Sequence, residues 1–399
     1  TLLPRHQHLR PKAKSVTHVS GTKRHLCLGS LKKQGNIWGN KASRFVACHL
    51  QTNPIDLSPM TATIPTNVRE VGVAIPDFHL SSEAQEAIKV IVKGTDGPRH
   101  DEFLASDSCA FAHYTSAETI KKVIEGRGVF MRNTRLMNDH SEVRHGFALV
   151  SEGLKSAGGK RYLDAWAEID SDVVAAIPEY LSATAQSVIE QCYVLSVCEH
   201  REPQDGDGKL SMWRAYGNGD LRVAVIAKTT NAMMLADDGV FATPVLYGSQ
   251  EAVEKELSFK GQTIFDNKAA FSDLPTGMKF QLALGFLINF AVSIKHPGFA
   301  EEQEWRYIYM STFPTPTMES RRLAQVMDGT PQIVYRMPIS VPIDGGYIPE
   351  GQFFKGVILG PCAEAQTISN GLRELLKSFG LVEPDIFVRM SSIPYRQRM

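Results

Sequence analysis

The run "FAEEQEWRYIYM" sets two carboxylates and an arginine at alternate positions. On an extended chain Glu302, Glu304 and Arg306 share one face, while Gln303, Trp305, Tyr307 and Tyr309 share the other. The aromatic face must enter a core, so the charged face points into a cleft or to solvent. As a solvent-facing edge, its Glu-Arg pair contributes under about 1 kcal/mol. Upstream, "NDHSEVRH" offers Asp139, His140, Glu142 and His145 as metal ligands, although His140 and His145 diverge on a helix. The same stretch reads better as an Asx turn and cap from Asn138 and Asp139, with Ser141 and Glu142 in the first turn that follows.

Two further stretches carry candidate side chains. "CAFAHYTSAETIKKVIEGRG" puts His113 and Thr115 at the end of an apolar strand, just before a helix that Ser116 caps and Gly126 and Gly128 end. As structure alone, His113 is a core histidine bonded to backbone. "LSMWRAYGNGD" places Ser211, Trp213, Arg214 and Tyr216 on a short helical turn, where Trp213 and Tyr216 share a face suited to core packing.

Several common chemistries are demoted by absence. The sequence has no GxxxxGK[ST] or GxGxxG phosphate loop, no GxSxG elbow and no HExxH helix. Six cysteines are scattered with no CxxC pair, which suits a reducing compartment and argues against structural zinc, so no metal is expected. The longest apolar helix candidate, "FQLALGFLINFAVSI", has the length of a buried core helix and not of a membrane span. A cytoplasmic protein without a membrane partner is the expectation.

The 399 residues carry 43 basic and 43 acidic side chains, but the balance is uneven. Up to Pro59 there are ten Lys/Arg and a single acid, Asp56, so the remainder is acidic and a poor generic binder of nucleic acid. Residues 1–59 lack helical or strand periodicity and read as a basic, disordered segment: a partner-binding arm, a targeting segment, or sequence upstream of a true start at Met60. Residues 60–107 read as an N-terminal extension with one helix over "SSEAQEAIKVIVKG", and residues 108–399 as the main domain.

The elements that must position these side chains alternate short strands with helices, without the regular spacing of a doubly wound sheet. Strands are expected at "FAHYT", "VFMRN", "QCYVLSVCE", "RVAVIAK", "TPVLYG", "EWRYIYM", "IVYRMPI" and "GVILG". Helices are expected at "AETIKKVIEG", after Pro178, at "SMWRAYG", at "GSQEAVEKELSF", around Phe280 and at "AEAQTISNGLRELLKSFG". The fold class is α+β, with a mixed, mainly antiparallel sheet core and flanking helices.

The order "HYTS…RNTRLMNDHSE", "YVLSVCE…LSMWRAYG", "EEQEWRYIYM" and "VILGP" resembles the bacterial domain of unknown function 2971 family, over roughly Ala110 to Ile393. The opening stretch is also similar to the start of the ADP-ribosyltransferase fold, in which His-x-Thr/Ser ends a strand before a helix, a glycine and a second strand. That second resemblance implies an NAD-consuming enzyme, a mono-ADP-ribosyltransferase or NAD glycohydrolase of the kind found among bacterial toxins and anti-phage effectors. NAD would be its substrate, and the acceptor a protein, nucleic acid or water. The alternative is a non-catalytic module binding a nucleotide or a partner; a third is a metal hydrolase using Asp139, Glu142 and His145.

On the NAD reading, Glu304 stabilises the oxocarbenium-like cation formed as the nicotinamide-ribose bond breaks, with Glu302 as second acid. His113 bonds a ribose hydroxyl, Thr115 helps hold the nicotinamide end, and Tyr216 or Tyr114 stacks on its ring. Arg132 or Arg306 pairs with the pyrophosphate, and Asn133, Asn138, Ser211 and Trp213 complete the implied binding set.

Overall fold

The computed structural model describes Ile88, Ile91, Thr95, residues 102–106 and residues 108–394, the last with gaps at 127, 138–141, 217–220, 229–238, 328, 339–341, 344–345, 348–353 and 382–385. The expected segment 1–59, the start at Met60, most of the 60–107 extension, and Asn138, Asp139 and His140 lie outside the described residues. Ile88 and Ile91 are helical and fully buried.

The strands are β1 (Cys109–Ser116), β2 (Gly128–Asn133), β3 (Cys192–Arg201), β4 (Arg222–Ala227), β5 (Phe241–Pro244), β6 (Leu246–Tyr247), β7 (Ile294–Lys295), β8 (Glu304–Met310), β9 (Arg322–Met327), β10 (Thr330–Pro338), β11 (Pro342–Ile343), β12 (Gly346–Tyr347), β13 (Phe354–Leu359) and β14 (Phe387–Met390). The helices are α1 (Ala117–Glu125), α2 (Glu142–Gly153), α3 (Ala157–Ala167), α4 (Ser171–Gln191), α5 (Leu210–Ala215), α6 (Gln250–Asp266), α7 (Lys268–Ser272), α8 (Thr276–Val292), α9 (Pro316–Ser320) and α10 (Ala365–Ser378). The fold is α+β. Ten strands form one sheet with a main path β14-β13-β4-β1-β3-β2-β10-β9, while β8 adds to β3 and β5 to β8. Its ladders are antiparallel except for β13 with β14.

The sheet forks along β3. Near its C-terminal end β3 pairs with β1, from Ala112↔Cys198 to Cys109↔Arg201; near its start it pairs with β2 at Arg132↔Val194 and Asn133↔Tyr193. Between these ladders Leu195 to Val197 face the gap where β1 and β2 diverge. Helix α1 links the two strands, with the Ser116 side chain accepting the Thr119 N–H at 3.2 Å, the expected cap.

The two faces of the sheet carry different cores. One buries an aromatic group that includes Phe111, Tyr193, Trp305, Tyr307, Tyr309 and Tyr335. The other, through Cys192, Val194, Ile308 and Met310, packs on the helices α2, α3, α4, α6 and α8. Helix α8 is buried nearly all round, as its apolar sequence requires, and no described helix is long and apolar enough to cross a membrane. At one crossing Gly146 lets α2 approach α8 so closely that a Cβ there would meet the Ala291 carbonyl oxygen at 1.8 Å.

Two expectations are corrected. The helix placed after Pro178 begins at Ser171, since Pro178 sits inside α4. The charged face of β8 is not open to cleft or solvent: all seven residues of that strand are buried, and Glu304 and Arg306 lie on the face the helices cover, where Arg306 bonds Glu142 of α2 and the Val292 carbonyl of α8.

Candidate functional site

Register decides which candidate residues can meet. Directly opposed residues on antiparallel strands share a face. Cys198 opposes Ala112 on β1 and Glu304 on β8, so these three share one face, while His113 falls on the other with Phe111. The structure therefore divides the expected set. Tyr216 and Glu302 lie with Glu304, close enough for the carboxylates to act on the tyrosine; His113 and Thr115 open into a cleft behind the sheet.

On the helix-covered face, five charged side chains form a closed cluster. Glu304 is 3% exposed, and both of its oxygens are committed. Its Oε1 accepts from Ser196 Oγ at 2.5 Å and Arg306 Nε at 2.9 Å; its Oε2 accepts from Lys295 Nζ at 3.1 Å and Arg306 at 3.2 Å. Arg306 also donates to the Val292 carbonyl at 2.7 Å and to Glu142, while Lys295 contacts Glu302 at 2.8 Å and Glu142 at 3.2 Å. Burial alone would raise the Glu304 carboxyl, but Arg306, Lys295 and Ser196 outweigh it and hold it at about 2.

Three carboxylates against two cations leave one negative charge in excess. Burial raises the Glu302 carboxyl; Lys295 opposes that rise, and Glu304 and Glu142 add to it. The two glutamates of the Glu-x-Glu pair are thus pushed apart in acidity around one ammonium. They do not share a strand: Glu302 ends the 3-10 turn Pro297–Glu302, and Gln303 between them takes the left-handed conformation at φ 46°. Tyr216 is half-buried beside this group, its phenol raised by burial and then by Glu302.

Other expected residues are held in structural contacts. Trp213 is fully buried, donates Nε1 to the Asp207 carbonyl at 3.0 Å and packs edge-on to Tyr114 at 4.8 Å. The Tyr114 hydroxyl accepts the Lys209 N–H at 2.8 Å. Ser211 lies on α5, half-buried beside Met212. Arg132 Nε donates to Gln332 at 3.3 Å and its terminal nitrogen to the Leu136 carbonyl at 3.2 Å; Asn133 donates to the Glu190 carbonyl at 2.7 Å and caps the next turn by accepting from Arg135. Of the expected metal ligands, Glu142 is tied to Arg306 and Lys295, and His145 is exposed on α2.

The cleft lies in the fork of the sheet. It is open at its mouth, and its walls are almost wholly apolar, from Phe111, Leu195, Val197, Val225, Met337 and Phe354. His113 Nδ1 donates to the Ser196 carbonyl at 3.2 Å, so the side chain satisfies a backbone oxygen that the diverging strands leave unpaired. Burial lowers the imidazole pKa more than this bond raises it. The ring is therefore neutral at pH 7, with Nδ1 carrying the proton and Nε2 an acceptor. Thr115, Tyr307 and Lys228 also line the cleft. Sequence reasoning missed Tyr307 and Lys228: alternation assigned Tyr307 to an aromatic core, and only the fork exposes that core to a cavity.

Comparison with known proteins covers part of the chain. Residues 212–307 match the profile of a family described as Protein of unknown function (DUF2971). No curated protein and no solved structure matches the chain. The DUF2971 stretch runs from α5 through β8, so it contains Tyr216, Lys228, Lys295, Glu302, Glu304, Arg306 and Tyr307 but neither His113 nor Thr115.

Proposed function

We propose that this protein recognises a small molecule of the nucleotide class in the cleft of the forked sheet. The observation that carries the reading is the convergence of His113, Thr115, Tyr307 and Lys228 on an otherwise apolar, open cavity. Apolar walls with a few polar groups at fixed places are the ordinary chemistry of a site for a flat organic ligand. The neutral His113 ring suits it to accept a hydrogen bond from such a ligand.

Calorimetric titration of the full chain with NAD, ADP-ribose and AMP tests this. Saturable binding of at least one of them, weakened by Thr115→Trp with unchanged melting temperature, is expected. Absence of binding by all three at millimolar concentration overturns the reading.

A second reading, cleavage of the nicotinamide-ribose bond of NAD, draws on one separate observation: two carboxylates of divergent acidity share Lys295 beside Tyr216. On this reading Glu302 is the reactive carboxyl, since Glu304 has both oxygens engaged. Nicotinamide release that persists in wild type and is lost in Glu302→Gln would favour it; NAD left intact over hours at high protein concentration counts against it.

A further inference from the structure

Tyr307 distinguishes itself from its neighbour on the same face of β8. The Tyr309 hydroxyl reaches Glu319 at 3.0 Å. Tyr307 is 5% exposed and lines the cleft, yet its hydroxyl makes no hydrogen bond among the described residues. No protein acceptor among the described residues competes for its proton, so the hydroxyl is available to a ligand in the cleft. Burial pushes the phenol up, so it stays protonated and able to donate.

The cleft therefore offers the Tyr307 O–H as a donor, His113 Nε2 as an acceptor and the Thr115 hydroxyl as either, between apolar walls. Among the described residues lining it, Lys228 is the one with a permanent charge, and no carboxylate opposes it. We infer that the cleft takes a planar heteroaromatic ring that gives an N–H to His113 and an acceptor atom to Tyr307, on a molecule with one anionic group that pairs with Lys228. A nucleoside monophosphate has this form; a heteroaromatic carboxylic acid shares its ring and charge. The inference rests on the nucleotide-binding reading and narrows it, because a single cation and so few polar groups match one phosphate better than a pyrophosphate bearing two riboses.

The test is calorimetry and thermal melting on the full chain, with UMP, AMP, uridine, adenosine, orotate and NAD as probes. A monophosphate should bind at least about tenfold more tightly than its nucleoside, and Lys228→Gln should erase that difference. Orotate binding more tightly than UMP identifies a free ring acid as the source of the same chemistry. Tyr307→Phe should weaken the best probe about fivefold to tenfold and leave the ligand-free melting temperature unchanged or raised, since the hydroxyl has no partner to lose. Equal affinity for nucleoside and monophosphate overturns the inference, as does Tyr307→Phe lowering the melting temperature with affinity unchanged. Nucleotide binding that ignores both Tyr307 and Lys228 sinks the inference alone; no binding by any probe sinks the underlying reading as well.

Discussion

The Ser196 hydroxyl donates to Glu304 Oε1 at 2.5 Å, while the carbonyl of the same residue accepts from His113 Nδ1 on the opposite face of the sheet. One residue of β3 thus ties the buried ion cluster to the wall of the cleft. Ser196→Ala removes a donor to a buried carboxylate without disturbing the carbonyl. It should lower unfolding free energy by roughly 1.5 to 3 kcal/mol in urea denaturation, with the m-value unchanged. A loss within error of zero would show that the hydroxyl does not help to hold Glu304.

Glu304 and Glu302 should respond differently to the same substitution. Glu304→Gln leaves Arg306 and Lys295 short of a buried counter-charge, at a cost of about 3 to 5 kcal/mol. Glu302→Gln removes one carboxylate from a cluster with an excess of them and should cost distinctly less. Denaturation midpoints of the two variants check the order, and equal losses would contradict the charge count.

Stability should fall in two stages on acidification. The His113 pKa is lowered in the fold from 6.5, so its contribution is present above pH 6.5 and is lost as pH falls below it. Glu304 is lowered from 4.5 to about 2, so its contribution is present above pH 4.5 and is lost as pH falls toward 2. Glu302 is raised and works in the reverse sense, its contribution being lost as pH rises past 4.5. Unfolding free energies measured between pH 7.5 and 5 should show a shallower slope in His113→Gln than in wild type. Identical slopes would mean that His113 titrates as it does in the unfolded chain.

Much of the framework was legible in the sequence because local pattern and final burial agree. The strand of His113, the cap at Ser116 and the apolar helix around Phe280 follow directly from periodicity and capping chemistry. Strand β9, "RLAQVM", escapes such reading because it pairs on one side with β10 and its residues alternate only between exposed and half-buried. The division of the candidate site was not legible. Alternation along β8 fixes which residues share a face, but where that face lies depends on β3, more than a hundred residues upstream, and on the Gln303 turn that removes Glu302 from the strand. The fork between β1 and β2 is likewise a property of pairing, and it turns a core histidine and a core tyrosine into a cleft wall.

The close approach of α2 to α8 sets a limit on substitution. Gly146→Ala would place a Cβ against the Ala291 carbonyl, backbone against backbone, where no rotamer change relieves the contact. The expected loss is about 1 to 3 kcal/mol or more, read from a lowered melting temperature. Unchanged melting would show that the two helices can separate without penalty.

The most direct measurement of the cleft as the ligand site is the histidine nitrogen spectrum of the full chain, with the His113 resonances assigned by their loss in His113→Gln. With no ligand, Nδ1 should appear protonated and Nε2 as an acceptor nitrogen. On titration with AMP, the account predicts that His113 Nε2 shifts with the same midpoint as the calorimetric isotherm. Saturation by AMP with the His113 nitrogens unmoved would contradict it.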